Sequence, residues 1–207
     1  MESKAEIWIL DDDAGVRESL AWLLESMGWL TRSWSCPLEF LASLKQGEPQ
    51  VPVCLLLDVR MPGMSGLELL EHLVALPSQV PVILLTGHGD VPMAVRALKA
   101  GAVDFFEKPF NDQQLLDSIN KALFQHQQQL QQQAEQQVRR AQLEQLTARE
   151  KQVLALMLEG LPSKRMADRL NISPKTIDVH RHQVMQKLES ASLAELIKLY
   201  SPLFSPS

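Results

Sequence analysis

Through the first 124 residues, short apolar runs alternate with amphipathic stretches, a spacing that predicts repeated βα units and a parallel sheet. Strands are expected at about 7–10, 29–34, 53–57, 80–85 and 103–106, the second being the weakest. The run Val53, Cys54, Leu55, Leu56 and Leu57 is apolar throughout, as for a strand buried on both faces. Helices fill the gaps. The first spans roughly Gly15 to Met27, with Val16, Leu20, Leu23 and Leu24 on one face and Gly28 as its stop. The second starts at Pro37, and the third follows Ser65 and stops before Pro77. The fourth follows Pro92, carries Met93, Val95, Ala97 and Leu98, and stops at Gly101. The fifth opens at Asn111, a good N-cap with Gln114 three residues on.

That fifth helix has no stop signal, because neither Gly nor Pro occurs from Leu115 through Gln145. The glutamine-rich tract 126–137 reads either as a low-complexity linker or as continuing helix. Gln is a good helix former, which favours the helix. Leu116, Ile119, Leu123, Leu130, Ala134, Val138 and Ala141 then form the thin seam of a short coiled coil.

Past it the pattern is helical only. Thr147 and Glu150 make a capping box for a helix ending at Gly160, and Ser163 is expected to cap the next, which breaks at Asn171 and Ile172. Ser173 and Pro174 cap and start a third, through about Lys187, and a last helix spans about Ser192 to Tyr200 before Pro202 and Pro206. Two short helices joined by a tight turn form a helix-turn-helix.

Charge sharpens the division. Residues 1–124 carry 9 Lys and Arg against 17 Asp and Glu, residues 125–146 carry 2 against 2, and residues 147–207 carry 9 against 6. An acidic body, a neutral tether and a basic tail suggest two jobs, the tail being the half suited to a polyanion. The expected domains are 1–124, a helical linker 125–145, and 146–207. Two cysteines, Cys36 and Cys54, imply no disulfide framework. The charged start argues against a secretory signal, and no apolar run approaches the ~20 residues of a membrane span, so a cytoplasmic protein is expected.

Chemistry-bearing residues sit where the strands end: Asp11, Asp12 and Asp13 after the first, Asp58 at the third, Thr86 at the fourth, Lys108 after the fifth. In an open parallel sheet this edge is where chemistry is placed. Asp13 is read as a plain helix cap. Asp11, Asp12 and Asp58 together would repel one another unless a hard divalent cation such as Mg²⁺ joined them. Lys108 would pair Asp58 and then hold a phosphoryl oxygen, with the Thr86 hydroxyl donating to the same oxygen. Phe105 is core by default.

The stretches Leu10 to Asp12, Leu57 to Gly66, Thr86 to Asp90 and Phe105 to Phe110 resemble the receiver domain of two-component response regulators, and Leu146 to Arg181 resembles a LuxR-type helix-turn-helix. The whole chain is similar to the FixJ-like branch of the NarL/FixJ subfamily. The resemblance implies a flavodoxin-like, doubly wound α/β receiver with five parallel strands, a long helical linker and a small all-α DNA-binding domain.

It further implies that Asp58 accepts a phosphoryl group from a sensor histidine kinase. Asp12, Asp58 and the Arg60 carbonyl would ligate Mg²⁺, with Asp11 acting through water. Lys108 and Thr86 would hold phosphoryl oxygens, and Thr86 and Phe105 would form the switch. Lys175, Thr176, Asp178, Val179, Arg181 and His182 would face DNA, with Ile177, His180, Val184 and Leu188 packed. For Asp178 three readings stay open: a cytosine amino group, a basic neighbour, or no contact. Val95, Arg96, Lys99 and Asp104 would form a receiver dimer face. The implied partners are the kinase, double-stranded promoter DNA, RNA polymerase and a second copy. The receiver would assist its own phosphotransfer and dephosphorylation without being a turnover enzyme. Whether phosphorylation acts by dimerisation or by uncovering the tail stays open, as do promoter, stimulus and sign of regulation.

Two rivals come from other classes. A signalling hub whose tail binds protein is disfavoured by the Thr, Lys and Arg on the outer face of the third tail helix. A haloacid-type phosphatase would want an acid two residues after its nucleophile, where Arg60 stands.

Overall fold

The computed structural model describes residues 5–45, 47, 49–75 and 80–204. The expected stop at Pro77 and the end at Pro206 lie outside them. Two compact units divide the chain, 1–131 and 132–207.

In the first unit, β1 (Glu6–Leu10), β2 (Leu30–Trp34), β3 (Val53–Asp58), β4 (Val82–Thr86) and β5 (Asp104–Glu107) make one parallel sheet of order β2-β1-β3-β4-β5. Because successive strand residues point to opposite faces, each central strand feeds two cores. Trp8, Leu10, Leu55, Leu57 and Leu84 pack on one side under α2 (Pro37–Leu44), α3 (Gly66–Val74) and α4 (Val91–Lys99). Ile7, Ile9, Leu56, Ile83 and Leu85 pack on the other under α1 (Ala14–Ser26) and α5 (Asp112–Glu144). This is the doubly wound architecture expected of the sequence.

The helix α4 departs from its expected stripe. Only Ala97 is fully buried, while Val91, Val95 and Leu98 are 76, 44 and 50% exposed. Periodicity located the helix, but Ala97, with the partly buried Met93 and the C-cap Ala100, seats it on the core. The helix α5 is continuous over 33 residues, so the glutamine tract is helical. Its seam is revised, however. Leu116, Ile119 and Leu123 belong to the receiver core, whereas Ala134, Val138 and Ala141 are exposed and Leu130 half-buried. A three-and-four spacing marks any buried helix face, and the sheet took the first three positions.

His126 on α5 is buried, and its Nδ1 accepts the Val53 N–H at 2.8 Å, covering the start of β3. Beside Val53 in register stands Glu6, whose carboxylate is already held by Arg32 and the Trp8 indole. Burial, which disfavours the charged form, pushes the His126 imidazole below its ordinary value of 6.5. A group depressed in the folded state stabilises above its unfolded value and loses that contribution as pH falls through it. Urea midpoints should therefore drop more between pH 7 and 5 for the wild-type protein than for His126→Leu. That variant should be weaker by about 1–3 kcal/mol at pH 7, since it strands a buried N–H. Parallel pH curves would remove His126 from the account.

In the second unit, α6 (Ala148–Leu158), α7 (Ser163–Leu170), α8 (Pro174–Lys187) and α9 (Leu193–Tyr200) surround Val153, Leu154, Met166, Ile177, Val184, Leu196 and Tyr200. The expected capping box is present: Thr147 accepts from the Glu150 N–H and the Glu150 carboxylate from that of Thr147. Glu150 is buried against Lys187 at 2.7 Å; burial opposes its charge, but Lys187 and Thr147 hold it below the usual carboxylate range. Asn171 ends α7 in the left-handed region, and Ser173 caps α8 through the Thr176 N–H. Ser163 does not cap α7. Pro162 occupies the N-cap position and Ser163 lies inside the first turn, which frees its hydroxyl to reach another helix. Among the described residues no helix is long and apolar enough to cross a membrane.

Candidate functional site

The sheet order reverses between β1 and β3, and the crevice at their carboxyl ends is where Asp11 and Asp58 meet. Both carboxylates are buried, at 2 and 6% exposure. Lys108 reaches from the end of β5 and donates to Asp11 Oδ2 at 2.6 Å and to Asp58 Oδ1 at 2.7 Å. The remaining oxygens are also held: Asp58 Oδ2 accepts the Arg60 N–H at 2.7 Å, and Asp11 Oδ1 that of Asp13 at 2.9 Å. Asp58 is thus fixed by two donors on opposite oxygens and cannot swing.

The backbone beneath it is equally constrained. Gly66 N–H donates to the Val59 carbonyl, and any side chain at Gly66 would run into the Asp58 carbonyl. Glycine there lets α3 start directly against the strand end.

Electrostatically the cluster is unbalanced. Burial pushes the Asp58 carboxyl above the usual carboxylate range; Lys108 and the Arg60 N–H pull it back, while Asp11 pushes it further. Burial works against the Lys108 charge too, but Asp11 and Asp58 overcome it and raise the ammonium above the usual lysine value. Two buried carboxylates against one ammonium leave a negative charge; the exposed Asp12 beside them adds a second, which the Arg17 guanidinium, donating to the Asp11 and Asp12 carbonyls at 2.7 and 3.0 Å, offsets in part.

Among the described residues no three carboxylate, imidazole or thiol side chains form a ready cage. Mg²⁺ needs none: it keeps several waters and takes one or two carboxylates. An oxygen-only donor set in a site short of positive charge fits that ion.

Asp13 acts as the helix cap it was read to be, accepting from the Gly15 and Val16 N–H groups. Thr86 is buried, and its hydroxyl now serves the turn, donating to the His88 carbonyl at 3.2 Å. Phe105 is half-buried on the core, its ring lying where a side chain on Gly89 would stand and beside the Thr86 methyl.

On α4 the expected dimer-face residues Val95, Arg96 and Lys99 are exposed, Arg96 being paired with Glu71 at 2.8 Å. Asp104 is instead turned inward, accepting from the Ser118 hydroxyl at 2.9 Å and the Phe105 N–H.

On α8, Lys175, Thr176, Asp178, Val179 and His182 are exposed and Arg181 is half-buried, while Ile177, Val184 and Leu188 are buried and His180 half-buried as expected. Asp178 and Arg181 are joined through Ser163, a contact that sequence reasoning missed because a serine before a helix reads first as its cap.

The family model described as "Response regulator receiver domain" matches residues 7–120, and that described as "Bacterial regulatory proteins, luxR family" matches residues 144–200. The chain is 42% identical over 200 residues to the transcriptional regulatory protein FixJ of Bradyrhizobium diazoefficiens, with 96% of each protein covered. It is 44% identical over 202 residues to the C4-dicarboxylate transport transcriptional regulatory protein DctR of Rhodobacter capsulatus, covering 93% of this chain and 98% of that one. The solved structure of the response regulator StyR matches with a TM-score of 0.81 at 43% identity, over 97% of this chain and 100% of that one.

Proposed function

Because the chain belongs to the FixJ-like response regulators, which join a receiver domain to a LuxR-family DNA-binding domain, we propose that Asp58 is its phosphoacceptor and that phosphorylation there pairs two copies on DNA. Transcription regulation that depends on phosphorylation follows from membership, as do a histidine kinase and DNA as partners. The observation that carries the site assignment is the Lys108 ammonium bridging two buried carboxylates, Asp58 being fixed on its second oxygen by the Arg60 N–H.

In the proposed transfer, an Asp58 oxygen attacks phosphorus, the bond from phosphorus to the kinase imidazole breaks, and an acyl phosphate forms. The chain's own part is positioning and charge. Lys108 offsets the arriving negative charge, and the Thr86 hydroxyl gives up its long bond to the His88 carbonyl to meet a phosphoryl oxygen. Phe105 then follows Thr86. Asp12, Asp58 and the Arg60 carbonyl would hold Mg²⁺, with Asp11 acting through water, and the ion would supply further positive charge to the phosphoryl oxygens. The receiver so assists its own phosphorylation and dephosphorylation and is not a turnover enzyme.

The reading assigns 1–124 to the receiver, 125–145 to the linker and 146–207 to the DNA-binding domain. Its dimer face is α4, where Val91, Val95 and Leu98 leave apolar surface uncovered beside Arg96 and Lys99. Dimerisation brings two α8 helices to two half-sites, with RNA polymerase as the partner at a cytoplasmic promoter.

Sedimentation velocity with acetyl phosphate and Mg²⁺ should show a dimer where the untreated protein is monomeric. Residues 142–207 alone should bind DNA poorly; binding as tight as that of the phosphorylated full chain would favour release of a masked tail instead. Affinity should fall steeply with salt, and Lys175→Ala should lower the slope of log affinity against log salt by about 1. An unchanged slope would place Lys175 off the phosphates.

A further inference from the structure

Resting on the reading of α8 as the recognition helix, we propose that Ser163, outside that helix, is the positioning residue that makes Asp178 a reader of cytosine. The Arg181 guanidinium donates through Nη1 to Ser163 Oγ at 2.7 Å, and Ser163 Oγ donates to Asp178 Oδ1 at 2.8 Å. An arginine can only donate, so the serine oxygen accepts from it and its single proton is committed to the aspartate. The relay therefore has one direction.

It has two consequences. Asp178 by itself would be repelled by DNA phosphates; a half-buried guanidinium linked through one hydroxyl offsets its charge without taking its second oxygen. Among the described residues Asp178 Oδ2 has no partner, and the residue is exposed beside Lys175, Val179 and His182. With Oδ1 fastened to α7, Oδ2 is held in one place relative to the helix.

A fixed carboxylate oxygen accepts only, so in the major groove it pairs with an exposed amino group. Cytosine presents its N4 amino group alone, whereas adenine sets the N7 lone pair next to its own amino group, which repels a carboxylate. Guanine and thymine present acceptors at the corresponding edge. Cytosine is the base this arrangement selects.

The test uses the phosphorylated full-length protein and a pool of random DNA duplexes, followed by competition between the preferred duplex and single-base variants. The wild-type protein should require cytosine at one position in each half-site. Ser163→Ala should cut that preference about tenfold, the low end of what one wrong base pair costs. Ser163→Thr, which keeps the hydroxyl, should retain it, and a purely structural role for Ser163 would not single out one base position. Asp178→Asn, at an exposed site where folding is not at stake, should lose the preference as well. Cytosine preference undiminished in Ser163→Ala would overturn the proposal. So would a sequence-specific wild-type protein with no cytosine requirement. Binding by the wild-type protein with no base preference at all would instead remove the recognition-helix reading, and the proposal with it.

Discussion

An Asp58→Asn variant is expected to take up no phosphoryl group from acetyl phosphate in Mg²⁺, under conditions where the wild-type protein is labelled to a large fraction. An amide nitrogen or oxygen is no nucleophile toward phosphorus, and the substitution also removes a formal charge from the cation's donor set. The fold should tolerate it, because asparagine matches aspartate in size and its oxygen can still accept the Lys108 or Arg60 donor that Asp58 now holds. Intact-mass spectrometry reads the outcome as an added phosphoryl mass. Labelling of the variant to the wild-type level would move the acceptor elsewhere.

The second large effect is expected at Lys108. Among the described residues its ammonium is the only positive group that donates to the Asp11 and Asp58 carboxylates, and it contacts both, since Arg17 reaches the Asp11 backbone carbonyl instead. Lys108→Met keeps the length of the side chain but leaves two buried carboxylates facing each other without compensation. Phosphorylation by acetyl phosphate should slow by about 10²–10³-fold, the usual cost of removing one preorganised donor from a site of charge development. The initial rate of phosphoryl uptake checks this, and a rate within a few-fold of wild type would deny Lys108 its role. Lys108→Arg should not rescue fully, because a planar fork cannot place one nitrogen between two carboxylates as a compact ammonium does.

The site was legible in sequence because its residues sit at strand ends, and strand ends are marked by where apolar runs stop. Leu10 before Asp11, Leu57 before Asp58 and Leu85 before Thr86 gave the edge, and the sheet order then brought the three together. What sequence reasoning missed are contacts across long separations that no local rule announces. The bond from the Val53 N–H to His126 spans 73 residues, and nothing in the glutamine-rich surroundings of His126 distinguishes it from a surface histidine. Ser163 was misread for a related reason. A serine at a helix start satisfies the capping rule so well that a partner 15 residues away on another helix goes unsuspected.

The linker shows where periodicity stops being informative. Leu116, Ile119 and Leu123 repeat at the spacing of a coiled-coil seam, but that spacing says only that one face is covered, not by what. The sheet covers it in the receiver, and beyond Leu130 the exposed Ala134, Val138 and Ala141 are small or few. Pairing of copies, as proposed, would therefore depend on the domains at the ends of the linker, and in the receiver α4 exposes Val91, Val95 and Leu98.

Phosphorylation of Asp58 is proposed to control DNA binding, and fluorescence anisotropy with a duplex carrying two half-sites tests this most directly. Full-length protein treated with acetyl phosphate and Mg²⁺ should bind at least about tenfold more tightly than untreated protein, a difference of about 1.4 kcal/mol. Asp58→Asn should show no gain. Equal affinity before and after confirmed phosphorylation of the wild-type protein, or the same gain in Asp58→Asn, would contradict the account.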